Sequence, residues 1–255
     1  MKSPRTYPEA LIERLNTPDG TIIVFERDGV RMMTFNETNW NFVESAYDPR
    51  DPFALPAPYT RYLTAPLMYM PTPQRILMIG MGGGQTTTYL HHHLPKADIT
   101  AVEIDPAVAE LARKYFGFEE TPHYRAAMAD GLEYLRSQTE LYDMIILDAF
   151  SEGRIPEHLA TPEFYRETAK HLTPHGAVAQ NVETAHTHLE EVVAAMGEAY
   201  RHLDVYHIRG NFVVVGYNGE MLKEGALRTQ ARLAQQTYGL RYPLEEFLPR
   251  RLKIQ

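Results

Sequence analysis

Apolar positions along the chain fall into two regimes. Up to about residue 60 they come as short runs rich in β-branched and aromatic residues. Beyond it, near-continuous apolar stretches alternate with segments of helical spacing. In the first regime Thr21–Phe25 (TIIVF) and Val30–Phe35 (VRMMTF) are joined through Arg27-Asp28-Gly29. Asp-Gly between two such runs predicts a hairpin, because Gly supplies the positive φ of a tight turn. Tyr47 to Pro58 carries four prolines in twelve residues; proline fixes φ and removes donors, so this stretch predicts a loop or boundary. The pattern therefore predicts a β-rich N-terminal domain over residues 1–60 and a larger domain over 61–255.

In the second regime Arg75–Gly80, Asp98–Ile104, Tyr124–Met128, Tyr142–Asp148 and Ala177–Val182 read as strands. Gln85–Leu94, Pro106–Tyr115, Gly131–Ser137, Pro162–His171 and Leu189–Tyr200 read as the helices between and after them. Apolar strands separated by helices of this length predict βαβ units and a mainly parallel sheet covered on both faces. Val205–Ile208 and Phe212–Tyr217, joined through Arg209-Gly210-Asn211, predict an antiparallel C-terminal edge. Gly225–Gln236 predicts a final helix. The fold class is α/β, with a small β-hairpin domain ahead of it.

Composition narrows the chemistry. The 255 residues contain no cysteine, which excludes a disulfide scaffold, a thiolate zinc site and a cysteine nucleophile. Twenty-five basic against 33 acidic residues give a net charge of -8. That balance repels phosphate backbones and argues against nucleic acid as a partner. The start of the chain shows no apolar signal region, and the most apolar stretch, Pro66 to Gly84, is cut by Pro71 and Pro73. A cytoplasmic protein with no membrane span is expected.

The strongest local signal is Gly80-Met81-Gly82-Gly83-Gly84, after a strand and opening a helix. Such a turn either reverses the chain tightly or lets backbone approach a ligand closely beside a helix N-terminus. Glu103 ends the next strand, nineteen residues after Gly84, where an acidic side chain meets ribose hydroxyls. Gln85 stands where the dinucleotide fingerprint needs its third glycine, so a single nucleoside suits the loop better. Asp130, ahead of Gly131, suits a helix N-cap, an acceptor for an adenine amine, or both. Asp148 closes an apolar strand at the carboxyl edge of the sheet, a costly place for an unpaired charge, and reads as a site residue. His91-His92-His93 points in three directions and predicts a solvated helix face, not a metal site. His186 and His188 lack a third ligand, and no metal is expected. Glu152 and Arg154 suit a lid or a solvated loop, and Trp40 suits core packing.

Gly80–Gly84, Val102-Glu103-Ile104-Asp105, Ala129-Asp130-Gly131, Tyr142-Asp143, Leu147-Asp148 and Thr161-Pro162-Glu163-Phe164-Tyr165 resemble, in order and spacing, the spermidine synthases and their relatives. The resemblance implies a Rossmann-like class I domain behind an N-terminal β-domain, often as a homodimer. It implies S-adenosylmethionine or its decarboxylated form as cofactor. Glu103 would lie on the ribose and Asp130 near the adenine, with Gly80, Gly82, Gly83, Gly84, Ile104 and Gly131 also against the cofactor. Asp148 would be the catalytic carboxylate beside a small amine-like acceptor. Three departures stand out. Gly83 replaces the loop Asp of aminopropyltransferases, Ser151 replaces a second Asp, and Tyr59-Thr60-Arg61-Tyr62 replaces a Tyr-His-Glu cluster. The loop is similar to that of spermidine-synthase-like methyltransferases. The expectation is therefore alkyl transfer from a sulfonium, methyl first and aminopropyl second. A non-catalytic nucleoside-binding protein is the alternative from another class.

Overall fold

The computed structural model describes residues 10–18, 20–150, 154–184 and 188–252. Two sheets carry the fold. The first is antiparallel, in the order β1 (Ala10–Thr17), β2 (Gly20–Arg27), β3 (Val30–Thr34) and β4 (Ser45–Tyr47). The expected hairpin is present as β2–β3, and its turn residues Asp28 and Gly29 have φ of 54° and 77°. Both central residues at positive φ is the turn whose twist matches the strands it joins. Two strands escaped the hydrophobic pattern. Register shifts between Leu11 and Glu13 in β1 break its alternation, and β4 is three residues long.

After helices α1 (Pro58–Tyr62) and a 3-10 turn at Ala65–Met68, the larger unit begins. Its strands are β5 (Arg75–Ile79), β6 (Asp98–Glu103), β7 (Tyr124–Met128), β8 (Tyr142–Leu147), β9 (Leu172–Glu183), β10 (His202–Ile208), β11 (Asn211–Tyr217) and β12 (Arg251–Leu252). The intervening helices are α2 (Gln85–His93), α3 (Pro106–Tyr115), α4 (Gly131–Ser137), α5 (Pro162–Lys170), α6 (Leu189–Gly197) and α7 (Glu224–Tyr238). The sheet order is β12-β10-β11-β9-β8-β5-β6-β7. β7, β6, β5, β8 and β9 are mutually parallel; β11, β10 and β12 join antiparallel. The antiparallel edge is as expected, except that β12, two residues long, takes the outermost place.

Strand alternation decides which layer each side chain enters. Ile76 and Met78 of β5 pack with Tyr89, Leu90, Leu227 and Ala231 on one side. Leu77 and Ile79 pack with Leu135, Tyr165 and Met196 on the other. A third cluster joins the sheets, where Ile22, Val24 and Met33 meet Val108, Leu111 and Phe116 of the α3 region. Arg31 donates to the Tyr115 carbonyl at 3.1 Å, and Lys114 and Tyr115 both reach the Glu13 carboxylate at 2.6 Å. The small sheet is thereby seated beside the glycine loop.

From β5 the chain winds outward through β6 and β7, then returns to lay β8 on the opposite side of β5. Strand order reverses there, and in open α/β sheets ligands bind outside the carboxyl ends of the strands at that reversal.

Candidate active site

A cavity of about 680 Å³ opens at this reversal, between the carboxyl ends of β5, β6 and β8 and the inner face of the small sheet. Gly80, Gly82, Gly83, Glu103, Ile104, Asp130, Gly131 and Asp148 all line it. Gly84 does not; it caps α2 at φ 81°, beside Phe118 and Tyr124. Its role is in the turn.

Gly80 follows the end of β5, between β6 and β8. Its N–H donates to Val102 O, Asp148 N–H donates to Ile79 O, and its φ is 87°. A Cβ there would collide with the Asp148 carbonyl. The glycine thus serves β5–β8 packing, and it is this closeness that brings Asp148 to the loop.

Glu103 is buried. One carboxylate oxygen accepts from Met81 N and Gly82 N at 3.2 Å each, and the other from Ile104 N at 2.9 Å and Asp105 N at 3.1 Å. Burial nonetheless pushes its carboxyl above the usual range, against the pull of these four amides. A carboxylate offers about four lone-pair positions, and the backbone fills them. A ribose hydroxyl reaching Glu103 must share an oxygen with the loop. Ile104 next to it is 66% exposed, an apolar side chain on the cavity wall.

Asp130 is the N-cap of α4, accepting from Leu132 N at 2.9 Å and Glu133 N at 3.1 Å. Its second oxygen meets His158 Nε2 at 2.7 Å. Burial raises its carboxyl, but the His158 bond and the cap amides outweigh that and hold it below the ordinary value. Gly131 follows as the first residue of α4, packed on Ile79.

Asp148 is partly buried on the cavity wall. Removal from water pushes its carboxyl up to about 7, Asn181 pulls it down, and Glu44 pushes it up again. Asn181 Nδ2 donates to Asp148 Oδ1 at 2.7 Å, and Asn211 Nδ2 in turn donates to Asn181 Oδ1 at 3.0 Å. The Tyr59 phenol, also on the cavity, is held protonated by burial and by the nearby charges of Asp148 and Glu44.

Sequence reasoning missed Glu44, Ser45 and His158, and it passed over Tyr59 as part of a lost cluster. Ser45 Oγ accepts the Gly83 N–H at 2.8 Å, so the small sheet clasps the loop directly. A three-residue strand and an isolated acid leave no periodic signal. Ser151, Glu152 and His186 lie outside the described residues. Trp40 packs on Phe25 at 5.1 Å between ring centres, away from the cavity. The histidine run diverges as expected, but the solvated face is a correction. Only His92 is exposed, stacked on Phe53, while half-buried His91 and His93 pack on Tyr124 and Tyr89. Among the described residues no group of three or more His, Cys, Asp and Glu is placed to hold a metal ion.

Residues 57–208, which contain the loop and all three carboxylates, match the family model described as "Spermine/spermidine synthase domain". The chain belongs to this family. A polyamine aminopropyltransferase from Vibrio vulnificus (strain CMCP6) is 33% identical over 219 residues, 82% of this chain and 73% of its own length. Other curated aminopropyltransferases are matched over 54% of their length. The solved structure of human methyltransferase-like protein 13 in complex with SAH is 27% identical and superposes with a TM-score of 0.65. That likeness covers 72% of this chain and 93% of the human one. A spermidine synthase in complex with the transition state analogue AdoDATO superposes at a TM-score of 0.75 with 21% identity. It covers 96% of this chain and 85% of that one, and shows the shared Rossmann-like fold. The family member is an enzyme, a transferase. Its curated aminopropyltransferase relatives weigh against methyl transfer as the first expectation.

Proposed function

We propose that this enzyme transfers an aminopropyl group from decarboxylated S-adenosylmethionine to a small amine. The observation that carries this reading is the charge of the cavity. Its described lining holds Glu37, Glu44, Glu103, Asp105, Asp130 and Asp148, and no Lys or Arg. The loop amides of Met81, Gly82 and Gly83 are already committed to Glu103 and Ser45. Among the described lining residues the carboxylate of intact S-adenosylmethionine finds no Lys or Arg and no free loop amide, whereas an ammonium finds Glu44 and the second oxygen of Asp148.

The residues fit a nucleoside sulfonium. Ile104 offers an apolar face to adenine, the outer oxygen of Asp130 an acceptor for its amine if His158 yields, and Glu103 a shared acceptor for ribose. When bound, the sulfonium supplies an electrophilic carbon and a thioether leaving group that needs no acid. What remains for the chain is the acceptor. An alkyl amine of pKa about 10.4 arrives protonated. Asp148, ionised above about 7, orients it and takes one proton, which frees the nitrogen lone pair to bond the carbon as the carbon–sulfur bond breaks and the thioether leaves. Asn181, fixed by Asn211, leaves Asp148 one oxygen for that bond. In-line positioning supplies the rest.

Methyl transfer to an amine is the second reading, favoured by Gly83 at the loop Asp position and by the methyltransferase-like neighbour. Incubation with each sulfonium and a panel of diamines decides between them. Methylthioadenosine with an amine lengthened by three carbons supports the proposal; S-adenosylhomocysteine with a methylated amine replaces it. A homodimer, the absence of a nucleic-acid partner and a cytoplasmic setting belong to the same proposal. Light scattering checks the first. No helix among the described residues is long and apolar enough to cross a membrane.

A further inference from the structure

The carboxylates of the cavity differ in how they are satisfied. Glu37 pairs with Arg14 and accepts from Thr21, each at 2.5 Å. Glu103 is filled by four amides, Asp105 accepts from Ala107 N, Asp130 holds His158 and two amides, and Asp148 holds Asn181. Glu44 alone among these has no hydrogen bond or ion pair to its carboxylate among the described residues. It is half-buried, on the cavity wall. Burial and the nearby charge of Glu183 raise its carboxyl above the ordinary value. An enclosed carboxylate without a partner is costly, and a bound cation removes the cost.

Its place in the chain says which cation. Glu44 immediately precedes Ser45, whose hydroxyl holds the Gly83 N–H. A side chain at Gly83 would be crowded: a Cβ would press on Ser45 Cβ at 3.1 Å, Phe116 Cδ1 at 3.0 Å and the Gln85 amide, which would all have to shift. The loop carries no acid of its own, and Glu44 stands one residue ahead of the strand clasped to it.

We infer that Glu44 is the donor-specificity residue of this enzyme: it binds the ammonium at the end of the sulfonium's three-carbon chain, taking from the small sheet the charge that the glycine loop lacks. This rests on the aminopropyl reading above. It assigns donor recognition to the residue ahead of β4 and acceptor activation to Asp148, so the two tasks separate by mutation.

The test is calorimetric titration of full-length wild type, Glu44→Gln and Glu44→Asp with three probes. These are 5′-methylthioadenosine, which lacks the charged chain, decarboxylated S-adenosylmethionine and S-adenosylmethionine. Loss of one charge-assisted contact is expected to weaken decarboxylated S-adenosylmethionine roughly 10- to 100-fold in Glu44→Gln. 5′-Methylthioadenosine should change less than about twofold, a readout that also shows the site is folded. Glu44→Asp, keeping the charge, should restore part of the difference. Turnover should show the loss in KM for the donor, with KM for the amine unchanged. Unchanged donor affinity in Glu44→Gln overturns the assignment, as does an effect confined to the amine KM or an equal loss for 5′-methylthioadenosine. Wild-type protein that binds 5′-methylthioadenosine but prefers intact S-adenosylmethionine overturns the aminopropyl reading instead, and this inference falls with it.

Discussion

A carboxyl poised near neutrality, as Asp148 is, sets stability and activity against each other. Below about pH 4 it is protonated in both folded and unfolded chains. Between there and about 7 the folded chain keeps a proton that the unfolded chain releases, so its contribution to stability falls as pH rises through that window. Asp148→Asn removes the conflict. It should raise the melting temperature at pH 8 by roughly 4–8 °C, for about 2 kcal/mol, and leave it unchanged at pH 4. Turnover should fall at least a hundredfold while methylthioadenosine affinity survives. In the wild type, kcat/KM for the amine should rise with pH and level off above about 7. A bound ammonium lowers the carboxyl, so the same limb in kcat should lie at lower pH. A second residue-scale prediction concerns Glu103. Its loss frees four backbone donors at once, so Glu103→Ala should lower both thermal stability and adenosyl affinity, the latter by roughly 1.5–3 kcal/mol. Unchanged affinity in a folded variant would remove it from the site.

Among the elements, the β5–β8 pair tolerates least. Gly80→Ala places a methyl against the Asp148 carbonyl at a positive φ, and should cost about 3 kcal/mol or more in a urea titration. Elements with an explicit start signal were legible from sequence. Asp105 and Pro106, Asp130, and Thr161 with Pro162 mark the starts of α3, α4 and α5, and their side chains do accept the capping amides. β5, β6 and β8 were legible because both faces are buried and the text is apolar throughout. The small sheet was only half legible: β1 changes register and is largely unburied, and β4 is too short for alternation to show. The candidate site divides the same way. Strand-end carboxylates announce themselves by breaking an apolar run. Glu44 and Tyr59 lie in irregular text and become site residues only through contacts between the two sheets.

The whole molecule behaves as two walls around one acidic chamber. A ligand that bridges the walls binds only the folded state, so it stabilises by mass action, about 2.7 kcal/mol at a hundred times its dissociation constant. Decarboxylated S-adenosylmethionine at that level should raise the melting temperature by roughly 5–10 °C. The Glu44→Gln protein should show about half of that shift or less at the same concentration.

The strand order also sets a timetable for synthesis. All pairings of the small sheet lie within residues 10–47, so it can close while most of the chain is still unmade. The centre of the large sheet cannot form until β8, residues 142–147, has emerged to lie beside β5. Some sixty residues separate the two strands, and long-range parallel pairing is the slow, aggregation-exposed step of folding. The small sheet, with Ser45 already in place for Gly83 and Ile22, Val24 and Met33 for α3, is a finished surface on which the first β-α-β turn of the nascent chain can settle. The sheet that forms one wall of the chamber in the finished enzyme is, in the order of manufacture, its first template.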